Sequence, residues 1–109
     1  MNLTPEDLLG GSNVTFEVIV PPEVLNPVKN LNPTTKEVVV ELRPLSIGAF
    51  GLIMKAAKNE SGLIPLLMIQ ESLVKPALSL EQIKQMQMGL VNFLIAHIRQ
   101  ISGLTPKKN

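Results

Sequence analysis

The sequence predicts an α+β fold that is mostly helical, with an N-terminal two-stranded antiparallel ribbon packed on a three- to four-helix bundle. Two segments, Asn13 to Val20 and Glu37 to Leu42, alternate their side chains with the period of two that half-buried strands show. After Pro44 the apolar period becomes 3.6, which indicates helices between about Ser46 and Ile101. A chain of 109 residues suits a single domain with a core of its own.

Residues 1–12 are predicted to form an N-terminal arm or short helix. Thr4 is placed to cap that helix, Pro5 suits its first position, and Gly10-Gly11 end it. The ribbon with its long loop then takes residues 13–42, the helical bundle residues 46–104, and a flexible tail residues 105–109.

The connection between the two strands, from Pro21 to Lys36, contains four prolines and is too long for a tight hairpin turn. Two interpretations are open. The loop is either tolerated by the fold without a role, or it is an arm that contacts a partner.

The first helix of the bundle is predicted from Ser46, which can cap it, to about Lys58. Its apolar side chains share one face, formed by Ile47, Phe50, Ile53, Met54 and Ala57. Gly48 and Gly51 lie on the opposite face and cost the helix about 1 kcal/mol each relative to Ala. The two glycines indicate either that another backbone packs closely there or that the helix is weak.

The next helix is apolar around nearly its whole circumference, from Leu63 to Val74, with Ser61 as its predicted cap and Pro65 in its first turn. Such a helix is either central in the domain or covered in part by another protein chain. Methionine side chains adapt to varied partners, which extends the second interpretation to the helix that follows. On that interpretation the candidate partner-binding residues are Leu63, Leu66, Leu67, Met68, Met86 and Met88.

The stretch from Leu73 to Ile83 ends one helix and begins another. Pro76 disfavours a helical conformation at the residue before it. Ser79 and Gln82 have the spacing of a capping box, with Leu78 and Ile83 as its hydrophobic staple.

A third helix is therefore expected from Leu80 to about Met88, and a fourth from about Leu90 to Ile101. Gly89 either separates these two helices or bends one long helix. Gly103 is well placed to end the last helix in a left-handed conformation, with Leu104 packing back on Ile98.

No group of residues in the sequence indicates catalysis, a cofactor or a metal site. Cys is absent, and the single histidine, His97, has no acid within a helical turn to orient its ring. Neither an HExxH metal motif nor a GxxxxGK phosphate loop occurs. We therefore expect a protein that is not an enzyme and that uses no cofactor and no metal.

Charge is unevenly distributed along the chain. Residues 1–42 carry six acids and two lysines, a net charge of −4, whereas residues 43–109 carry eight Lys or Arg and three acids, a net charge of +5. The two halves either fold on each other or meet between copies in a head-to-tail oligomer. The lysines are scattered and Tyr and Trp are absent, so nucleic-acid binding is not expected. Nor do we expect a membrane span or a signal peptide.

The order of motifs resembles the tail assembly chaperones of long-tailed phages. It comprises a TPEDLL start, two strands of which the second leads into ELRPLSIGAF, then LIPLLMIQESLV, KPALSLEQI and a last helix closing in ISGL. The resemblance covers roughly residues 3–104. The long Pro/Asn insertion and Pro65 depart from the family pattern.

The resemblance implies a non-enzymatic phage tail assembly chaperone that binds the tape-measure protein during tail morphogenesis. It implies self-association, a location in the cytoplasm of the bacterial host, the tail tube protein as a second candidate partner, and a frameshifted long form. The alternative function is a permanent small structural component of a phage tail or capsid.

Overall fold

The computed structural model of the chain describes residues 4–9, 14–25 and 38–104. These residues form an α+β fold, which confirms the predicted class. In chain order the elements are α1 (Pro5–Leu9), β1 (Phe16–Val20), α2 (Pro22–Leu25), β2 (Val38–Leu42), α3 (Ile47–Ala57), α4 (Leu63–Ser72), β3 (Leu73–Lys75), α5 (Leu80–Ile83) and α6 (Met88–Ile101).

The strands form an antiparallel sheet in the order β1-β2-β3. The two strands predicted from alternation are confirmed, with Val18 opposite Val40. The prediction of a two-stranded ribbon is wrong, because Leu73 leaves α4 and pairs with Leu42 as part of a third strand. The extended backbone continues to Lys75, because Pro76 disfavours a helical conformation at the residue before it. The apolar pattern of the sequence predicts instead that Leu73 and Val74 end the preceding helix.

One face of the sheet packs on the helices to form the core. The alternating residues Val18 and Val20 of β1 and Val40 and Leu42 of β2 point into it. Leu73 of β3 is buried as well, and the helices supply the other buried apolar side chains, namely Ile53, Ala57, Met68, Ile69, Ile83, Leu94 and Ile98.

Part of the long connection between the strands is ordered as α2, which packs against α6 through the core contacts of Val24 and Leu25. Residues 26–37 lie outside the described residues, and so does the prediction of a contact arm. The predicted flexible tail at 105–109 lies outside them as well. Among the helices of the described ranges, none combines the length and the apolar character needed to cross a bilayer.

Several predicted helix ends are confirmed by their caps. The Ser46 hydroxyl accepts the Ala49 N–H at 3.1 Å at the start of α3. Ser79 and Gln82 form both hydrogen bonds of the capping box at α5. Gly103 has φ +75°, and the N–H of Leu104 donates to the Arg99 carbonyl at 2.8 Å, which is the Schellman motif.

Two other predicted helix ends are wrong. Helix α4 begins after Gly62 rather than Ser61, because the N–H groups of Leu63 and Ile64 donate to the carbonyls of the preceding turn and no side-chain cap is used. Helix α5 stops at Ile83 instead of near Met88.

The end of α5 shows why neither expected role of Gly89 applies. The N–H groups of Gln85 and Met86 donate to carbonyls three residues earlier, which tightens the turn and ends the helix. Gln87 is then extended and precedes α6. The break falls at residues 84–87, and Gly89 lies inside the first turn of α6.

Candidate protein-binding surfaces

The titratable side chains of the described residues include two ion-paired carboxylates and one half-buried histidine. No three His, Cys, Asp or Glu side chains within the described part of the chain are placed to hold a metal ion. His97 is half-buried, and its ring contacts that of Phe93 with a centroid separation of 4.6 Å. Glu71 and Glu81 pair with Arg43 and Lys84 at 2.9 Å and 3.5 Å.

Polar groups converge where β2 leads into α3, at a site that we call the Arg43 junction and define as Arg43, Leu45, Glu71, Ser72 and Ser102. The Arg43 N–H donates to the Ser72 carbonyl at 2.9 Å, and the buried Ser72 hydroxyl donates to the Arg43 carbonyl at 2.6 Å. The guanidinium donates to both the carbonyl and the carboxylate of Glu71, at 3.0 and 2.9 Å.

Ser102 completes the Arg43 junction from the end of α6, since its hydroxyl accepts the Leu45 N–H at 2.8 Å. The junction thus joins three sequence motifs, ELRPLS, IQES and ISGL, which are far apart in the chain. Their polar residues satisfy backbone groups at the meeting point of β2, α4 and α6. Folding therefore accounts for these residue types without a ligand.

The candidate partner-binding residues of α4 lie mainly inside the domain. Met68 is 4% exposed, and Leu66 and Leu67 are half-buried against the core. The reason is that α4 packs against α3, α5, α6 and β3, so neighbouring elements cover most of its circumference. The interpretation of α4 as a central helix is therefore favoured, and Met68 belongs to the core.

The remaining three candidates are distributed differently. Leu63 is half-buried at the start of α4, and Met86 is half-buried against the core. Met88, by contrast, is 77% exposed at the start of α6. The structure thus leaves one of the six candidates openly accessible.

A larger apolar surface lies on α3. We call it the α3 outer face and define it as Ile47, Gly48, Gly51, Leu52 and Lys55. Ile47 is 92% exposed and Leu52 is 68% exposed, while Ile53 and Ala57 on the other side of the helix are buried. The predicted apolar stripe is therefore wrong at Ile47, which lies about 120° from Ile53 around the helix, and at Met54, which is 44% exposed.

The two glycines of the α3 outer face are not packed against another backbone of the described chain. A Cβ at Gly51 would meet no atom within 4 Å, and one at Gly48 would meet only the Ser46 hydroxyl oxygen at 3.9 Å. Of the two interpretations of these glycines, close packing within the domain is excluded for the described residues. The helix backbone at Gly48 and Gly51 is instead open to an approaching chain.

The sheet has a second accessible apolar patch on the side away from the core. We call it the outer sheet face and define it as Glu17, Ile19, Val39 and Glu41. Ile19 lies opposite Val39, and the two side chains are 55% and 43% exposed. Glu17 lies opposite Glu41, so two carboxylates flank the apolar pair on neighbouring strands.

An open groove also runs between strand β1 and helix α6. Its volume is about 700 Å³, and its lining includes Phe16, His97 and Ile101. The groove is open, and the polar residues of its lining are Glu17, His97 and Gln100. It contributes accessible apolar surface beside the outer sheet face.

Comparison with known proteins adds no family assignment: no protein-family model matches the chain, and neither a curated protein nor a solved structure is detectably similar to it.

Sequence reasoning missed the α3 outer face because it placed Ile47 in the buried stripe and gave Leu52 no role. Leu52 was visible as an apolar residue outside the predicted stripe. It lies about 100° from Ile53 around the helix, which is far enough to face solvent when Ile53 is buried.

Proposed function

We propose that this chain is a non-enzymatic tail assembly chaperone of a long-tailed phage or prophage, which binds the tape-measure protein during tail morphogenesis. The order of sequence motifs supports the proposal, and the bacterial cytoplasm is the compartment in which such a chaperone acts. The observation that carries it furthest is the α3 outer face, where large apolar side chains lie in water.

The α3 outer face has the features of a site for a helical client. Ile47 and Leu52 provide two apolar anchors, and Gly48 and Gly51 let another backbone approach the helix between them. Burying each anchor contributes roughly 1.5 to 3 kcal/mol. Lys55 adds a positive charge beside the anchors that can pair with an acidic residue of the client.

Met88 is the exposed one of the six candidate partner-binding residues, and we propose that it extends the contact surface. A client reaches only the exposed edges of the half-buried candidates, which are Leu63, Leu66, Leu67 and Met86. The tail tube protein is a second candidate partner.

Co-purification tests the proposal directly. The full chain, produced together with the tape-measure protein encoded beside it, is expected to retain that protein, and Leu52→Glu is expected to lose it. Gln100→Glu, which adds the same charge at an exposed position of α6 about three turns away from Met88, serves as the matched control and is expected to bind normally.

Analysis of purified particles separates the chaperone from the alternative of a permanent tail or capsid component. A chaperone leaves before the virion is mature and is absent from it. A structural component is present in a fixed copy number. Finding the chain at such a number in mature particles would replace the chaperone proposal with the alternative.

The gene provides a further test, which concerns residues outside the described part of the chain. Lys107-Lys108-Asn109 can be encoded by AAA AAA AAC or AAA AAA AAU, which begin with eight consecutive adenines, and ribosomes slip on such runs. We expect such a slippery run at or shortly before these codons, with an overlapping frame that encodes a longer form of the chain. The absence of both would weaken the chaperone proposal.

A further inference from the structure

We propose that the outer sheet face of one copy of this chain docks on the α3 outer face of a second copy. The contact is heterologous, since each copy presents two different surfaces. It stands independently of the client proposed above, although client and second copy would compete for α3.

Both surfaces are more apolar than the fold requires. An antiparallel sheet with one face in the core commonly has polar side chains on its other face. Here the outer face has Ile19 beside Val39, and both are substantially exposed. Helix α3 likewise needs only Ile53, Ala57 and Phe50 to pack on the domain, yet it also carries Ile47 and Leu52 in water.

The two surfaces carry opposite charges. Glu17 and Glu41 flank the apolar pair of the sheet, and the face stays negative when Lys75, the cross-strand neighbour of Glu41, is counted. Helix α3 contains Lys55 and no acid, and Lys58 follows it. The ion pairs found among the described residues are Arg43–Glu71 and Lys84–Glu81, so none of Glu17, Glu41, Lys55 and Lys58 is paired within the described ranges.

This charge distribution selects the mode of association. Pairing two α3 outer faces about a two-fold axis would bring lysines together with no acid on either helix. Pairing two outer sheet faces would bring four carboxylates together. Placing sheet on helix instead sets Glu17 and Glu41 against Lys55, so opposite charges meet beside the apolar pair of the sheet.

The geometry of the contact is a standard layer arrangement, in which a helix covers the free face of a sheet. Each contact uses one surface of each copy and leaves the other surface available. Successive copies therefore add head to tail, giving a closed ring or an open chain according to the rotation between neighbours.

A mixing experiment with the purified full chain tests the proposal. Leu52→Glu damages the α3 outer face and leaves the outer sheet face intact, whereas Ile19→Glu does the reverse and leaves the two damaged faces with like charges. Molar mass is measured by sedimentation over a range of concentrations, and circular dichroism establishes that each variant is folded. The client is absent, so failure here and failure of the proposed function are distinguished.

The wild-type chain is expected to assemble beyond a dimer as its concentration rises, and each variant alone to be monomeric. An equimolar mixture of the variants is expected to form dimers and nothing larger, because one intact sheet face meets one intact α3 face. A monomeric wild-type chain would overturn the proposal. So would assembly of either variant alone, which indicates a two-fold contact, or a mixture of folded variants that stays monomeric.

Exposed charge changes give a second test that does not depend on altering an apolar residue. Lys55→Glu and Glu17→Lys are each expected to weaken assembly by about two- to five-fold, the range typical of exposed ion pairs. Mixing the two is expected to restore assembly, because the reversed charges face each other. If the mixture assembles no more strongly than either variant alone, the result contradicts the proposed contact.

Discussion

The Arg43 junction and the α3 outer face are neighbours in the chain, yet they use their side chains in opposite ways. At the junction, polar groups from three distant segments satisfy one another, with Ser72 fully buried. On α3, apolar side chains point into water, with Ile47 almost fully exposed. The contrast separates residues that folding explains from residues that folding leaves unexplained. The second kind is where we look for function.

The largest expected effect on stability is at the junction. Ser72→Ala removes the hydroxyl that donates to the Arg43 carbonyl at 2.6 Å inside the domain. We expect a loss of about 1 to 3 kcal/mol in the free energy of unfolding, because the Arg43 carbonyl loses its partner at a part-buried position. Urea denaturation measures the loss. Ser61→Ala, at an exposed serine that caps no helix, is the control and is expected to be nearly neutral.

The next effect has the opposite sign and lies on α3. Gly51→Ala is expected to raise the free energy of unfolding by about 1 kcal/mol, since alanine favours the helix and its methyl group meets no atom. The same methyl group obstructs an approaching backbone, so we expect weaker self-assembly in a more stable domain. Thermal unfolding and sedimentation report the two effects separately. A Gly51→Ala variant that is destabilised would mean that this part of α3 is packed.

The smallest effect on stability is expected at Leu52. Leu52→Gln changes an exposed side chain and is expected to alter the free energy of unfolding by no more than about 0.5 kcal/mol. Its effect on assembly is expected to be large, because the residue is an anchor of the contact. If Leu52→Gln unfolds the domain, the distinction between the junction and the α3 outer face fails.

The features that the sequence predicts well are local. The caps at Ser46 and Ser79 and the left-handed Gly103 involve residues a few positions apart, and their chemistry can be read from spacing alone. Strand β3 could not be found in this way. Its three residues pair with β2 across the fold, and an apolar run at a helix end gives no local sign of that pairing.

The candidate surfaces show the same limit. An all-round apolar helix such as α4 can be central or exposed, and the sequence left both open. The contacts of α4 with four other elements favour the central position, which removes Met68 from the accessible surface. Which side of α3 faces the core depends on α4 as well, so the exposure of Ile47 follows from packing and not from periodicity.

Hydrogen–deuterium exchange of the chain with and without the tape-measure protein tests the central claim most directly. The measurement is made at a concentration at which the chain alone is monomeric. We expect the client to slow exchange of the backbone amides of Ile47–Ala57, while the amides of Arg43 and Leu45, already hydrogen-bonded at the junction, change little. Unchanged exchange across α3, with protection elsewhere, would contradict the assignment of the α3 outer face as the client-binding surface.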